Sequence, residues 1–368
     1  MQAVVLQENL KVAVSFATKI VSTKTQLPIL SNFLLEAKDG RLKISATNLE
    51  TSIDYWVGAK VEKLGKITVP ARVFSELIAS FPPDKVEISA EGALLKLVCG
   101  KSQATLSGID ASEFPLSPEI ENSKTHILEK KVLETTLPFI IIAASNDESK
   151  PLLTGIRIVK KDGSTVVVAT DGYRLSLRKL DMDIGFDEGV VLSVKALSET
   201  LRLLSEEKAE EMKAAFSKDK NQLAFIMKNS QITTRLIEGE YPPYERIIPA
   251  SFLSRAILPK ADLNQAVKMA SIYARESSYI IKLSLKNNVA TVTANTPQIG
   301  ENKTEFEIEL QGDGGEVAFN SRFLQDLLNV FPEEDVVFEM NGPLAPGVFK
   351  PLKDQSYLHI IMPVRIQE

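Results

Sequence analysis

At 368 residues, with 44% apolar and 25% charged side chains and a formal net charge of −5, the chain is long enough for two or three cores and has the balance of a soluble globular protein. Its one cysteine, Cys99, excludes a disulfide framework and a cysteine-based metal site, and suits a reducing compartment. No stretch approaches roughly eighteen consecutive apolar residues, and the opening "MQAVVLQENLK" has no basic segment followed by an apolar one, so a cytoplasmic chain without signal peptide or membrane span is expected.

The first element is a helix over 8–24, where the apolar residues of "LQENLKVAVSFATKIVS" recur at three- and four-residue steps. "LLEAKDGRLKISAT" follows, two alternating runs about an Asp-Gly pair, which is the pattern of a tight hairpin. A second helix is expected over 71–81 and stops at "FPP". The same order recurs with a helix over 129–145, a hairpin in "IRIVKKDGSTVVVAT" and a helix over 195–205. It recurs again with a helix over 260–275, further strands that include "TVTANTPQIG", and a helix over 320–331 ended by "FPEED".

Two landmarks give the period of this recurrence. Ala46, Ala169 and Ala294 are separated by 123 and 125 residues, and Phe74, Leu197 and Phe323 by 123 and 126. Three homologous domains are therefore expected, near 1–120, 128–250 and 254–366, each α+β with two helices packed on one side of antiparallel sheet.

The six helical segments together carry a formal charge of +5 in a chain of net −5, which leaves −10 for everything else. Cationic helix ends account for so small a bias, or else an acidic body presents its helices to a polyanion. An acidic protein repels DNA as a whole, so binding would need geometry to support a weak local attraction.

Enzyme chemistry finds little support. The two histidines, His126 and His359, have no metal-ligand spacing to each other or to Cys99. There is no G-x-x-x-x-G-K-[ST] phosphate loop and no G-x-S-x-G elbow, and "GDGGE" at 312–316 reads as a loop between elements. Asp171 in "VVATDGYRLSL" precedes a glycine and has no partner that spacing would force beside it, so it reads as turn chemistry. No catalytic residue, metal or cofactor is expected.

"TQLPILSNFLLEA" at 25–37, "SNDESKPLLTGI" at 145–156, "ATDGYRLSL" at 169–177, "EGEYPPYERIIP" at 238–249 and "IIMPVRI" at 360–366 together resemble the bacterial DNA polymerase III β subunits, the replicative sliding clamps. The resemblance runs along essentially the whole chain. It implies a head-to-tail homodimer whose six domains form a ring around duplex DNA, with helices lining the hole. Such a ring would act as a processivity factor that holds the replicative polymerase, the clamp loader and repair proteins.

Residue by residue, the resemblance implies three sites. The peptide pocket would comprise Leu153, Thr170, Gly172, Tyr173, Arg174, Leu175, Pro242, Ile247, Ile360, Met362, Pro363, Val364 and Arg365, bordered by Asn320 and Phe323. It would take a short segment of glutamine, leucine and phenylalanine, with methionine and arginine stems adding adaptable apolar wall. DNA would be faced by Lys11, Lys19, Lys24, Lys150, Lys195, Arg202, Lys268 and Arg275. At the subunit contact, the edge "QATLSGI" at 103–109 would pair with a third-domain edge of another chain. There Leu106 would meet Ile272 and Tyr273, while Arg72 and Lys101 would face Glu301 and Glu305 among other acidic residues.

This sequence departs from the family pattern at Tyr173, where histidine is common, at Pro243, where aspartate is frequent, and at Val364, where a second methionine is frequent. Two other readings stand beside the ring: an accessory module of the same fold that never encircles DNA, and an enzyme using scattered carboxylates.

Overall fold

Asp39–Gly40, Asp162–Gly163 and Asn287–Asn288 take positive φ at both residues, the left-handed pair that a primed two-residue hairpin requires. In the computed structural model, which describes residues 1–21, 27–118, 120–182, 184, 186, 189–217, 219–276, 278–296 and 300–365, these turns join equivalent strands. They link Asn32–Lys38 to Arg41–Thr47, Gly155–Lys161 to Ser164–Thr170, and Ile280–Lys286 to Val289–Thr296. The third repeat thus makes with Asn-Asn the turn that the first two make with Asp-Gly.

Six α-helices lie among the described residues: α1 (Gln7–Ile20), α2 (Ala71–Ser80), α3 (Lys130–Ile141), α4 (Val194–Glu206), α5 (Lys260–Ala274) and α6 (Ser321–Val330). The expected helix over 8–24 ends at Ile20, and that over 129–145 ends at Ile141, three residues after an internal proline, Pro138. With the observed bounds the formal charge is +1 on each of α1, α3 and α5 and zero on α2, α4 and α6, a sum of +3 rather than +5. The helix starts also correct one landmark. The fourth residue of the second helix in each repeat is Phe74, Leu197 and Leu324, buried at 0%, 2% and 1% exposure; Phe323 lies one place earlier and is only partly buried.

Two compact units divide the chain, and the cut runs through the middle repeat: one unit is 1–133 with 195–236, the other 134–194 with 237–368. The reason is strand pairing. In the first unit, Ser230–Arg235 pairs with Thr51–Gly58, so strands of the first and middle repeats make one eight-stranded sheet. In the second unit, Arg174–Leu180 pairs with Tyr357–Ile361, which makes a nine-stranded sheet from the middle and last repeats. Each unit has one further sheet. That of the first unit has five strands and ends at Ser102–Ser107; that of the second has four and ends at Gly300–Glu307. Every ladder among the described residues is antiparallel.

Apolar packing fixes the helices on the sheets. In the first unit the rings of Phe33 and Phe74 meet edge to face at 6.2 Å, which seats α2 on its sheet. In the second, Phe319, Phe338 and Phe349 form a triad with centroids 4.8 to 6.0 Å apart, inside a cluster that takes in Leu263, Val267, Leu324 and Leu327 from α5 and α6. Among the described residues no helix is long and apolar enough to cross a membrane.

Candidate functional site

The turn after Thr170 is built by its own polar atoms. Asp171 Oδ1 accepts the backbone N–H groups of Tyr173 and Arg174 at 2.9 Å each. Thr170 Oγ1 donates to the Arg174 carbonyl at 2.7 Å and accepts the Gly172 N–H at 3.0 Å. Gly172 has φ +93° with open space where a side chain would stand, so conformation rather than crowding requires glycine here. Asp171 is thus turn chemistry with a second task, because its Oδ2 receives Arg174 Nε at 3.1 Å.

Arg174 ties this turn to α6. Its Nη1 reaches Asp326 Oδ2 at 2.6 Å, and its side chain is only 10% exposed. The guanidinium lies 4.5 Å from the centre of the Phe323 ring. Two carboxylates and an aromatic face hold the cation in one orientation. Asn320 caps α6 by accepting the Arg322 N–H at 3.0 Å.

The end of the chain runs alongside. Met362 N–H donates to the Tyr173 carbonyl at 2.8 Å, and Val364 N–H to the Ala318 carbonyl at 2.9 Å. Met362, Pro363 and Val364 are half-buried, and Arg365 is exposed. Leu153 and Phe323 are also half-buried, Ile247 and Pro242 are exposed, and Tyr173 is 63% exposed. Half-buried Met362, Pro363 and Val364 thus run from the Tyr173 turn to the strand that precedes α6.

Thr170, Leu175 and Ile360 have another place. Leu175 faces Ile360 across the ladder, and neither has any exposed surface; Thr170 is 5% exposed. Leu175 and Ile360 belong to a cluster with Val166, Val168, Val191, Tyr241, Tyr244 and Val348, against which Leu152 and Ile248 pack. This cluster packs the segments around Leu152 and Tyr241–Ile248 onto the same sheet as the end of the chain.

His359 sits in the same sheet, fully buried, with Nδ1 2.6 Å from Ser176 Oγ. Burial, and next the positive charge of Arg174, lower its pKa to about 3. The ring is neutral at every physiological pH. Sequence reading missed this pair and Asp326, and no local signal points to them: 183 residues separate His359 from Ser176, and 152 separate Asp326 from Arg174.

The candidate DNA-facing residues among the described ones all reach the surface. Lys11 and Lys19 on α1, Lys150, Lys195 on α4, Lys268 on α5 and Arg275 at its end are exposed. Arg202 on α4 is exposed as well, with its guanidinium 4.5 Å from the centre of the Phe16 ring and 3.4 Å from Glu199. Lys24 lies outside the described residues.

Of the candidate subunit-contact residues, Leu106 is 8% exposed and so largely covered by its own chain, whereas Ile272 is 59% exposed and Tyr273 half-buried. Lys101, Glu301 and Glu305 are exposed. Arg72 holds Glu76 one helical turn on at 3.0 Å, and Glu305 accepts from Lys303, which pulls its carboxyl below the usual range. Among the described residues no cluster of histidine, cysteine or carboxylate side chains could hold a metal ion.

Three repeats, each with two helices on antiparallel sheet and joined to the next by continuous sheet, define a clamp-type protein. Family models match in that order: the DNA polymerase III beta subunit N-terminal domain over residues 1–118, its central domain over 127–243 and its C-terminal domain over 245–365. The chain belongs to the DNA polymerase III beta subunit family, the sliding clamps of DNA replication. It is 30% identical to the beta sliding clamp of Staphylococcus epidermidis over 359 residues, with 94% of each chain covered. The Bacillus subtilis DNA polymerase sliding clamp superposes with a TM-score of 0.93 at 27% identity, covering all of both chains. The Pseudomonas aeruginosa sliding clamp bound to griselimycin superposes with a TM-score of 0.92 at 26% identity, again over all of both chains.

Proposed function

We propose that two copies of the chain close head to tail into a ring around duplex DNA, and that the ring tethers the replicative polymerase, the clamp loader and repair proteins by short peptides. The observation that carries this reading is a rule of strand pairing. The strand after each repeat's hairpin, Thr51–Gly58 or Arg174–Leu180, pairs with the last strand of the next repeat, Ser230–Arg235 or Tyr357–Ile361. The same strand of the third repeat, Gly300–Glu307, and the last strand of the first, Ser102–Ser107, are sheet edges. Each edge is satisfied by a second copy, and two such contacts close the assembly.

A closed ring leaves DNA only by opening or by sliding off an end, so topology replaces affinity. Weak phosphate contacts then favour sliding and carry no sequence preference. Exposed Lys11, Lys19, Lys150, Lys195, Arg202, Lys268 and Arg275 suit that task, and Lys24 is proposed with them. The chain acts by holding rather than by catalysis, needs no cofactor, and is organised as domains near 1–120, 128–250 and 254–366.

The docking strip is formed by Met362, Pro363, Val364, Phe323, Asn320, Leu153, Pro242 and Ile247, with Tyr173, Gly172, Arg174 and Arg365 at its rim. Thr170, Leu175 and Ile360 support it. Apolar side chains, half-buried or exposed, on segments that flank the sheet suit a leucine and a phenylalanine of an incoming peptide. A labelled peptide containing glutamine, leucine and phenylalanine should give saturable fluorescence anisotropy, and its phenylalanine-to-alanine version should bind far more weakly. Equal binding of the two peptides would overturn the assignment of the strip.

A further inference from the structure

From the two internal sheet joints we infer the register of the joint between copies: Asn302 of one copy stands opposite Ala104 of the other, and Glu305 opposite Lys101. This deepens the head-to-tail dimer proposed above and rests on it.

The repeats can be superposed ladder by ladder. Counting from the hairpin turns, Ala46, Ala169 and Ala294 face Ile53, Ser176 and Asn302, which are therefore equivalent. Counting from the starts of α1, α3 and α5, Ala3, His126 and Ala256 are equivalent, and they face Ile88, Ala214 and Phe338. Those residues face Leu97, Phe225 and Phe349. The last step leads to Ala104, Ile232 and His359.

Both internal joints obey one correspondence. Ile53 faces Ile232 and Ser176 faces His359. Carried to the third repeat, it sets Asn302 against Ala104, Glu301 against Thr105, Lys303 against Gln103 and Glu305 against Lys101.

Three independent features agree with this register. Asn302, Thr304 and Ala104 are half-buried and Leu106 is buried, while Glu301, Lys303, Glu305, Gln103 and Thr105 are exposed. In this register Asn302 meets Ala104, both half-buried, and Glu301–Thr105, Lys303–Gln103 and Glu305–Lys101 meet exposed to exposed, whereas a slip of one residue would set Asn302 and Ala104 each against an exposed residue. The pair Glu305–Lys101 puts opposite charges together. Finally, the tenth residue of each repeat's first helix is Phe16, Phe139 or Met269. Phe16 is covered by Arg202 and Phe139 by Tyr357, each from the following repeat. Met269, whose repeat is the last in the chain, is 41% exposed, and the first repeat of a second copy would cover it.

The backbone bonds Lys179 N–H to Ser356 and Met362 N–H to Tyr173, and likewise Arg235 N–H to Glu50 and Trp56 N–H to Asn229, are ladder bonds of the two joints. They make Ser176–His359 and Ile53–Ile232 the closer, non-hydrogen-bonded pairs. Asn302 and Ala104 inherit that geometry, which is the one a disulfide fits.

The test is disulfide trapping of the full chain in a Cys99→Ala background. Asn302→Cys with Ala104→Cys is compared with the two frames shifted by two residues, Asn302→Cys with Ser102→Cys and Thr304→Cys with Ala104→Cys. The in-register pair should form covalent dimer at least about tenfold faster than either control, because a shift of two places moves the sulfur atoms out of bonding range. Light scattering on each reduced variant reports whether it dimerises. Faster trapping in a shifted pair, or a dimer that none of the three pairs traps, overturns the register while the dimer stands. A monomer at micromolar concentration in the unmutated chain overturns the dimer itself. Hydrogen exchange of the unmutated chain supplies a second reading: the amides of Gln103, Thr105, Glu301 and Lys303 should slow as concentration drives dimerisation, and their unchanged exchange in a proven dimer also overturns the register.

Discussion

The guanidinium of Arg174 lies 4.5 Å from the centre of the Phe323 ring, with Asp171 and Asp326 holding its nitrogens at 3.1 and 2.6 Å. This contact couples a turn of the middle repeat to a helix of the last, and the carbonyl of Tyr173 in that turn accepts the Met362 N–H at 2.8 Å. Asp171→Ala removes the acceptor of two backbone N–H groups and one partner of the cation. It should cost about 1–2 kcal/mol of stability and weaken the clamp peptide, whereas Asp171→Asn, which keeps an acceptor for the turn, should restore most of the stability. Urea denaturation of the three proteins checks this; equal loss in both variants would contradict the turn-building role.

Met362 and Leu175 separate docking from support. Met362 is half-buried and Leu175 has no exposed surface. Met362→Ala should leave the melting temperature nearly unchanged and weaken the peptide roughly tenfold, about 1.4 kcal/mol. Leu175→Ala should instead cost about 2–5 kcal/mol of stability, as for other core truncations. Thermal melting and peptide anisotropy, run on both variants, distinguish the two outcomes.

His359 makes the second unit sensitive to acid. Its folded pKa of about 3 lies below the ordinary 6.5. Between those values the unfolded chain binds a proton that the folded chain refuses, so this group's effect is nil above pH 6.5 and destabilising below. At pH 5 the loss is about 2 kcal/mol. His359→Gln should remove that part of the pH dependence, which urea midpoints from pH 7 to pH 5 would report. Parallel curves for the two proteins would contradict the assignment.

Lys19 and Arg202 are both cationic, but their surroundings differ. Lys19→Ala should lower the salt sensitivity of DNA binding, by about one unit of slope in a plot of log affinity against log salt, without changing the melting temperature. Arg202→Ala loses the face of Phe16 and should cost about 0.5–1 kcal/mol of stability. Salt titrations beside melting curves separate these effects.

The repeat was legible because its signals are local. Asp-Gly pairs mark two of the three hairpins, and helical periodicity marks six helices close to their observed bounds. What escaped the sequence is what folding brings together from afar. Phe323 served as a landmark because it is aromatic, yet Leu324 occupies the equivalent buried place, and Phe323 is spent on Arg174. Asp171 declared itself as turn chemistry through the following glycine, but its role in holding Arg174 depends on Asp326 of α6. Leu175 and Ile360 carried the resemblance to a binding motif without revealing that they are fully covered. A buried histidine facing Ser176 across a sheet joint leaves no trace in either local sequence.

In the proposed ring the chain holds DNA by enclosing it. The most direct measurement loads the protein with its clamp loader and ATP onto a singly nicked circular plasmid, raises the salt, and follows protein retained with the DNA by gel filtration before and after a single restriction cut. The ring requires retention on the circle at salt that abolishes ordinary phosphate binding, and release within minutes of linearisation. Equal retention on circular and linear DNA, or loss from both at that salt, would contradict it.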